Sequence, residues 1–196
     1  MPRTAELSRT TSETDIRLRL TLEGSGTAEI ATGVGFLDHM LVALTRHALF
    51  DLHVSARGDL QIDDHHTTED VGIVLGQALD RALGDKAGIT RFGAALVPMD
   101  EALVEAAIDL SGRPHLAWSV AFPAPRIGTM DSELFEEFFR ALATNARMTL
   151  HLTARAGRNA HHLAEACFKA TARALRAAVA EDPRLAGAIP STKGSL

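Results

Sequence analysis

Two copies of one small α+β unit, packed on each other through their helices, is the architecture this sequence predicts. Three observations carry it. The stretch from Phe36 to Asp70 aligns with the stretch from Leu134 to Ala166 after a short deletion in the second copy. Apolar periodicity switches between strand-like and helix-like in the same order in both halves. Each half reads as a small sheet with two helices on one face, and the apolar helix layer this leaves can be covered by the other half. The expected halves are residues 1–90 and 91–196, the second carrying a C-terminal tail, joined in one compact unit.

The elements follow in order. Ile16, Leu18, Leu20 and Leu22 alternate with polar residues and predict a half-buried strand. Glu23–Gly26 is a turn, and 27–32 a returning strand. A helix over 36–48 places Leu37, Leu41, Leu44 and Ala48 on one side, and residues 52–58 form a strand. Val71, Val74, Leu75, Ala78, Leu79 and Ala82 then mark an amphipathic helix. The second half repeats this with strands near 102–109 and 114–120 about the turn Ser111–Arg113, a helix over 133–146, a strand over 148–154 and a helix over 161–180.

Composition narrows the function classes. The chain has 196 residues and a net charge of −5, with acids and bases interspersed, which does not support nucleic-acid binding. No apolar run approaches the roughly 20 residues of a membrane span. The N-terminal stretch lacks the apolar segment of a secretory signal. Cys167 is the single cysteine, so no intrachain disulfide forms, and a reducing cytoplasm is the expected compartment.

The repeat makes one pattern informative. His65, His66 and Glu69 match His161, His162 and Glu165. Neighbouring residues on a helix point about 100° apart. Adjacent histidines therefore suit two different ions, while each can share a side with the glutamate that follows. Retention of all three side chains while their surroundings diverged argues for metal binding. Imidazole plus carboxylate without thiolate suits Mn, Fe or Zn. His39, and Glu137 as its repeat counterpart, are further ligand candidates, and His47 lies two turns beyond His39. His53 and His151 also correspond, but alternate with apolar neighbours and read as packed or hydrogen-bonded sheet residues; His115 reads as structural.

The segments GFLDHML, DDHHTTEDVGIVLGQAL, PMDEAL, DLSGRP, AGRNAHHLAEACFKA and IPSTKGSL together resemble imidazoleglycerol-phosphate dehydratase, in its monofunctional form, over nearly the whole chain. The resemblance implies a manganese-dependent lyase of histidine biosynthesis. It implies the duplicated fold of the kind seen in the second domain of ribosomal protein S5. It also implies a cytoplasmic homo-oligomer, a cage of twenty-four copies with sites shared between subunits. By resemblance, His39, His65, His66, Glu69, Glu137, His161, His162 and Glu165 hold metal, two Mn²⁺ per active site. Glu137 stands where the family commonly has histidine. Glu13 resembles the acid/base glutamate, with His65, Glu69, His161 and Glu165 also in the catalytic set. Arg91, Arg113, Lys169, Ser191, Thr192 and Lys193, with Glu13, His39 and His47, resemble the residues that hold a phosphorylated imidazole substrate. Composition alone reads Glu13, Arg91, Arg113 and Lys193 as surface charges.

The chemistry implied is removal of the hydroxyl next to the imidazole ring and of a hydrogen from the following carbon. That hydrogen is not acidic. An imidazolate that expels the hydroxyl and leaves a diazafulvene gives a route, and two ions bracketing the ring stabilise it. A metal-storage shell and a dinuclear phosphoester hydrolase are the rival readings of the same ligands.

Overall fold

The computed structural model describes residues 2–196. Two four-stranded sheets form the outer layers, and four helices lie between them. The first sheet has the order β1-β2-β4-β3, from Thr4–Thr10 (β1), Thr14–Thr21 (β2), Ala28–Ala31 (β3) and Asp51–Gly58 (β4). The second has the order β5-β6-β10-β7, from Phe92–Met99 (β5), Ala102–Asp109 (β6), His115–Ser119 (β7) and Thr149–Ala156 (β10). A two-stranded ribbon, Arg126–Ile127 (β8) and Met130–Asp131 (β9), stands apart from both.

The duplication is visible in the register. Leu18 lies opposite Val54 in the first sheet, and Ala106 opposite Leu152 in the second. In both sheets the last-placed strand is parallel to its neighbour, β3 to β4 and β7 to β10. Each parallel pair is joined by a helix, Gly35–Ala48 (α1) in the first half and Leu134–Asn145 (α3) in the second. A longer helix follows each sheet's core strand, His65–Leu83 (α2) and Ala160–Val179 (α4).

The structure corrects one expectation and adds two strands. The segment at 27–32 does not return as a hairpin onto the preceding strand. It pairs with β4, which lies between β2 and β3. Strands β1 and β5 went unread. β1 has only Ala5 and Leu7 as apolar alternators, and β5 contains Gly93 and Pro98. Both are edge strands, where one ladder of backbone groups needs no partner and proline is tolerated.

The helices bury their apolar faces against one another across the halves. Leu37, Met40, Leu41 and Leu44 of α1 are fully covered, as are Ala164, Phe168, Ala172 and Leu175 of α4. The second half holds the aromatic part of the core, with Phe138, Phe139 and Phe168 stacked at centroid distances of 4.7–5.3 Å. Helices α2 and α3 approach through glycine: a methyl group on Gly72 would lie 2.8 Å from the Phe138 carbonyl oxygen, and one on Gly76 2.7 Å from that of Leu142. Cross-half packing of this kind fixes the helix starts relative to each other, and the histidine pairs sit at those starts. Among the described residues no helix is long and apolar enough to cross a membrane.

Candidate metal centre

Helices α1 and α4 lie side by side, with the Phe36 ring edge-on to His161 at 5.1 Å. This brings together residues far apart in sequence. Glu165 Oε2 is 3.1 Å from His161 Nε2, one helical turn before it, and 3.3 Å from His39 Nε2 on α1. The three ligand atoms lie within 4.8 Å of one another, and no other group of this kind occurs among the described residues. Glu165 is buried, and burial opposes its charge. Lys169, at 2.6 Å, with His161 and His39, outweighs that and holds the carboxyl below its ordinary range. Two imidazoles and an ionised carboxylate converging without sulfur fit a divalent Mn, Fe or Zn ion. His47, two turns along α1, lies at the same helix pair: burial, then the charges of Lys169 and Arg173, push its pKa down.

The pseudo-equivalent set sits between α2 and α3. His65 Nε2 is 3.9 Å from Glu69 Oε2. Glu137, on α3, leans instead toward Arg140, with 3.7 Å between Oε2 and Nε. The first set has one carboxylate between two imidazoles; in the second, Arg140 pairs with Glu136 and lies within ion-pair distance of Glu137.

The second histidine of each pair faces away from these sets, as the helical geometry requires. The paired rings stand nearly perpendicular, at 81° for His65 and His66 and 79° for His161 and His162. His66 Nδ1 is 3.0 Å from Asp59 Oδ2, and His162 Nδ1 is 2.7 Å from Glu101 Oε2. The Nε2 atoms make no hydrogen bond among the described residues; that of His162 has the exposed Asp100 Oδ2 at 3.8 Å. The Asp59 contact raises the His66 pKa, and the His162 contact, followed by backbone N–H groups, lowers that of Glu101 to about 2. Glu13 lies close by, with Oε1 3.8 Å from His66 Nε2. Its loop is pinned to the start of α2 by buried Asp70, which accepts from Thr14 and from Arg9.

The predicted phosphate contacts form a separate cluster. Arg91 makes two bonds to Asp109, at 2.7 and 3.1 Å, and donates to the Pro190 carbonyl at 2.8 Å. Arg113 is exposed and 3.6 Å from Asp109. The tail holding Ser191, Thr192 and Lys193 turns over this cluster, with Leu196 back against Gly112. Arg91 N–H bonds to the Ala178 carbonyl near the end of α4, whereas His161 is at its start. At about 1.5 Å per residue the two are about 25 Å apart along the helix. Lys169 stays with Glu165 and not with these arginines.

His53 lies 2.9 Å from Glu29 across the β3–β4 pair. His151, read as a packed or hydrogen-bonded sheet residue, is exposed. It points outward, with its ring 5.9 Å from that of His115. Sequence reasoning missed Asp59 and Glu101, and also Arg126, which lines an open cleft of about 760 Å³ with Glu101, Arg158 and His161. The only available signal was the motif PMDEAL, whose repeat relation to Glu13 depends on two unread strands.

The sequence profile of imidazoleglycerol-phosphate dehydratase matches residues 32–175. The chain belongs to this family. Imidazoleglycerol-phosphate dehydratases from Granulibacter bethesdensis and Acidiphilium cryptum are 70% and 67% identical to it, each over the full length of both chains. The crystal structure of the family member from Staphylococcus aureus superposes with a TM-score of 0.84 at 41% identity, covering 91% of this chain and 99% of that one. The family member from Pyrococcus furiosus, solved in complex with (S)-C348, gives 0.84 at 39% identity, covering 97% and 100%. Members of this family are hydro-lyases, and so is this chain.

Proposed function

We propose that this chain dehydrates imidazoleglycerol phosphate to imidazole-acetol phosphate in cytoplasmic histidine biosynthesis. The observation that carries the reading is the convergence of His39, His161 and Glu165 from both halves of the chain, with His65, Glu69 and Glu137 as their repeat counterparts in the sequence. The two sets suit two Mn²⁺ ions per active site. When bound, these would supply Lewis-acid stabilisation of the anionic form of the substrate ring.

The chain's own residues do the rest. His66 and His162 present Nε2 outward, where each would complete the shell of an ion held mainly by another set. Glu13, 3.8 Å from His66, is poised to accept the hydrogen from the carbon beyond the hydroxyl-bearing one. The C–O bond breaks, the C–H electron pair forms the double bond of the enol, and the proton Glu13 takes balances over the cycle the one the hydroxide needs to leave as water; the enol becomes the ketone by moving its own hydroxyl proton to carbon. Positioned acid–base groups of this kind contribute on the order of 10²–10⁴-fold. Arg91, Arg113, Ser191, Thr192 and Lys193 hold the phosphate, with guanidinium groups suited to paired bonds to its oxygens. Lys169 keeps Glu165 ionised.

The distance of about 25 Å between Arg91 and His161, from the rise per residue of α4, exceeds the length of one small phosphorylated imidazole. It supports a site assembled from neighbouring subunits, as in a cage of twenty-four copies. The test is to supply imidazoleglycerol phosphate and Mn²⁺ and follow ketone and free phosphate together. Ketone without phosphate release is expected; phosphate release points to a hydrolase, and neither product to a metal store. Glu13→Gln should keep metal and lower kcat by at least about 10²-fold.

A further inference from the structure

The two repeats solve one problem with carboxylates from different places. In the second repeat Glu101, which immediately precedes β6, accepts from His162 Nδ1 through Oε2. Its other oxygen accepts from the backbone N–H groups of Arg158 and Asn159, at 3.1 and 2.8 Å. Asn159 in turn caps α4, its side-chain oxygen accepting from the N–H groups of His161 and His162. All of Glu101 is thus engaged in setting the start of α4 and the ring of His162.

The residue in the same place in the first repeat is Glu13, which immediately precedes β2. It makes no such contacts. Asp59, the residue after β4, bonds to His66 Nδ1 instead. The second repeat has Gly157 after β10, where no side chain fits: its φ is +148°, and a methyl group there would lie 2.4 Å from Leu163 Cδ2. An aspartate at that position would be strained and would displace buried Leu163, and the carboxylate for His162 comes from the other loop.

We infer that Asp59 and Glu101 are positioning residues that fix the tautomer and aim of His66 and His162, and that the presence of Asp59 is what releases Glu13 for proton transfer. An imidazole whose Nδ1–H donates to a carboxylate has its Nε2 lone pair free for a metal. The inference rests on the metal-dependent dehydratase reading above, but its test reads metal affinity separately from turnover.

The decisive variant is Glu101→Gln. One amide oxygen still accepts from Arg158 and Asn159, so the loop is kept. The amide NH₂ then faces His162 Nδ1 and donates to it, which puts the ring proton on Nε2 and blocks the metal-binding atom. Mn²⁺ titration of the assembled protein by electron paramagnetic resonance is expected to show affinity reduced about 10–100-fold, with the melting temperature of the metal-free protein unchanged. Excess Mn²⁺ should restore kcat, which it does not do for Glu13→Gln. Asp59→Ala is the second arm. Asp59 uses its carboxylate only on His66, so the fold survives; metal affinity falls, and kcat at saturating metal falls too as Glu13 is drawn to His66. Wild-type affinity in Glu101→Gln overturns the role of Glu101. Unchanged affinity and kcat in Asp59→Ala overturn the division of labour. A wild-type protein that binds Mn²⁺ but forms no ketone overturns the dehydratase reading instead, while the two affinity arms still judge Asp59 and Glu101.

Discussion

Replacing Gly76 with alanine sets two effects of known size against each other. Alanine is favoured over glycine in a helix interior by about 1 kcal/mol, so on an open surface this change would stabilise α2. At Gly76 the added methyl would sit 2.7 Å from the Leu142 carbonyl oxygen, 2.8 Å from Asn145 Cβ and 2.9 Å from Ala146 N. Two of the three are backbone atoms of α3 and its cap, which no rotamer change can move. Ordinary contact begins near 3.4 Å, so the helices must part by several tenths of an ångström. Overpacking costs about 1–3 kcal/mol, and contacts to fixed backbone put this case in the upper part of that range, about 2–3 kcal/mol, so sterics wins by about 1–2 kcal/mol. For a chain of this size that is a fall in melting temperature of about 3–6 °C, measured on chelated protein so that bound metal does not mask it. The parting also moves Glu69 away from Glu137, so Mn²⁺ affinity at that set should fall while the His39–His161–Glu165 set keeps its own. A melting temperature equal to or above that of the parent would refute the close-approach argument.

Other outcomes are as specific. Glu137→Ala should lose metal at one of two sites with activity falling alongside, and Glu137→His should retain it; metal analysis of the folded proteins decides. His151→Ala should leave metal content normal and, since the ring is exposed beside His115, change the melting temperature little; loss of a metal site here would move the ligand assignment to His151. Deleting Ser191 to Leu196 should raise KM strongly with the fold kept, because the tail covers the Arg91–Asp109–Arg113 cluster; steady-state kinetics showing an unchanged KM would make the tail a solvated terminus.

The duplicated fold was legible because its candidate ligands repeat. Histidine pairs followed by glutamate at one spacing, each ahead of an amphipathic helix, mark matched positions even where the core has drifted from leucine in α1 to phenylalanine in α3. The edge strands β1 and β5 were not legible, since an edge needs little alternation and admits Pro98. Their loss hid the equivalence of Glu13 and Glu101, each at the turn between an unread edge strand and the strand that follows. His39 and Glu165 could be suspected one by one, but their meeting is tertiary, fixed by α1 packing on α4. The contact of Glu137 with Arg140 is a local ion pair that spacing does not express.

The length of α4 has a consequence for mixtures. A chain carrying His161→Ala is intact at the Arg91 end, and a chain carrying Arg91→Ala is intact at the His161 end. If each pocket borrows one end from each of two neighbours, two inactive proteins become partly active when dissociated together and reassembled. Some pockets then receive both of their good halves, and others receive both bad ones. Recovered activity should follow the mixing ratio with its maximum near equal parts, which is the signature of a pocket owned by no single chain.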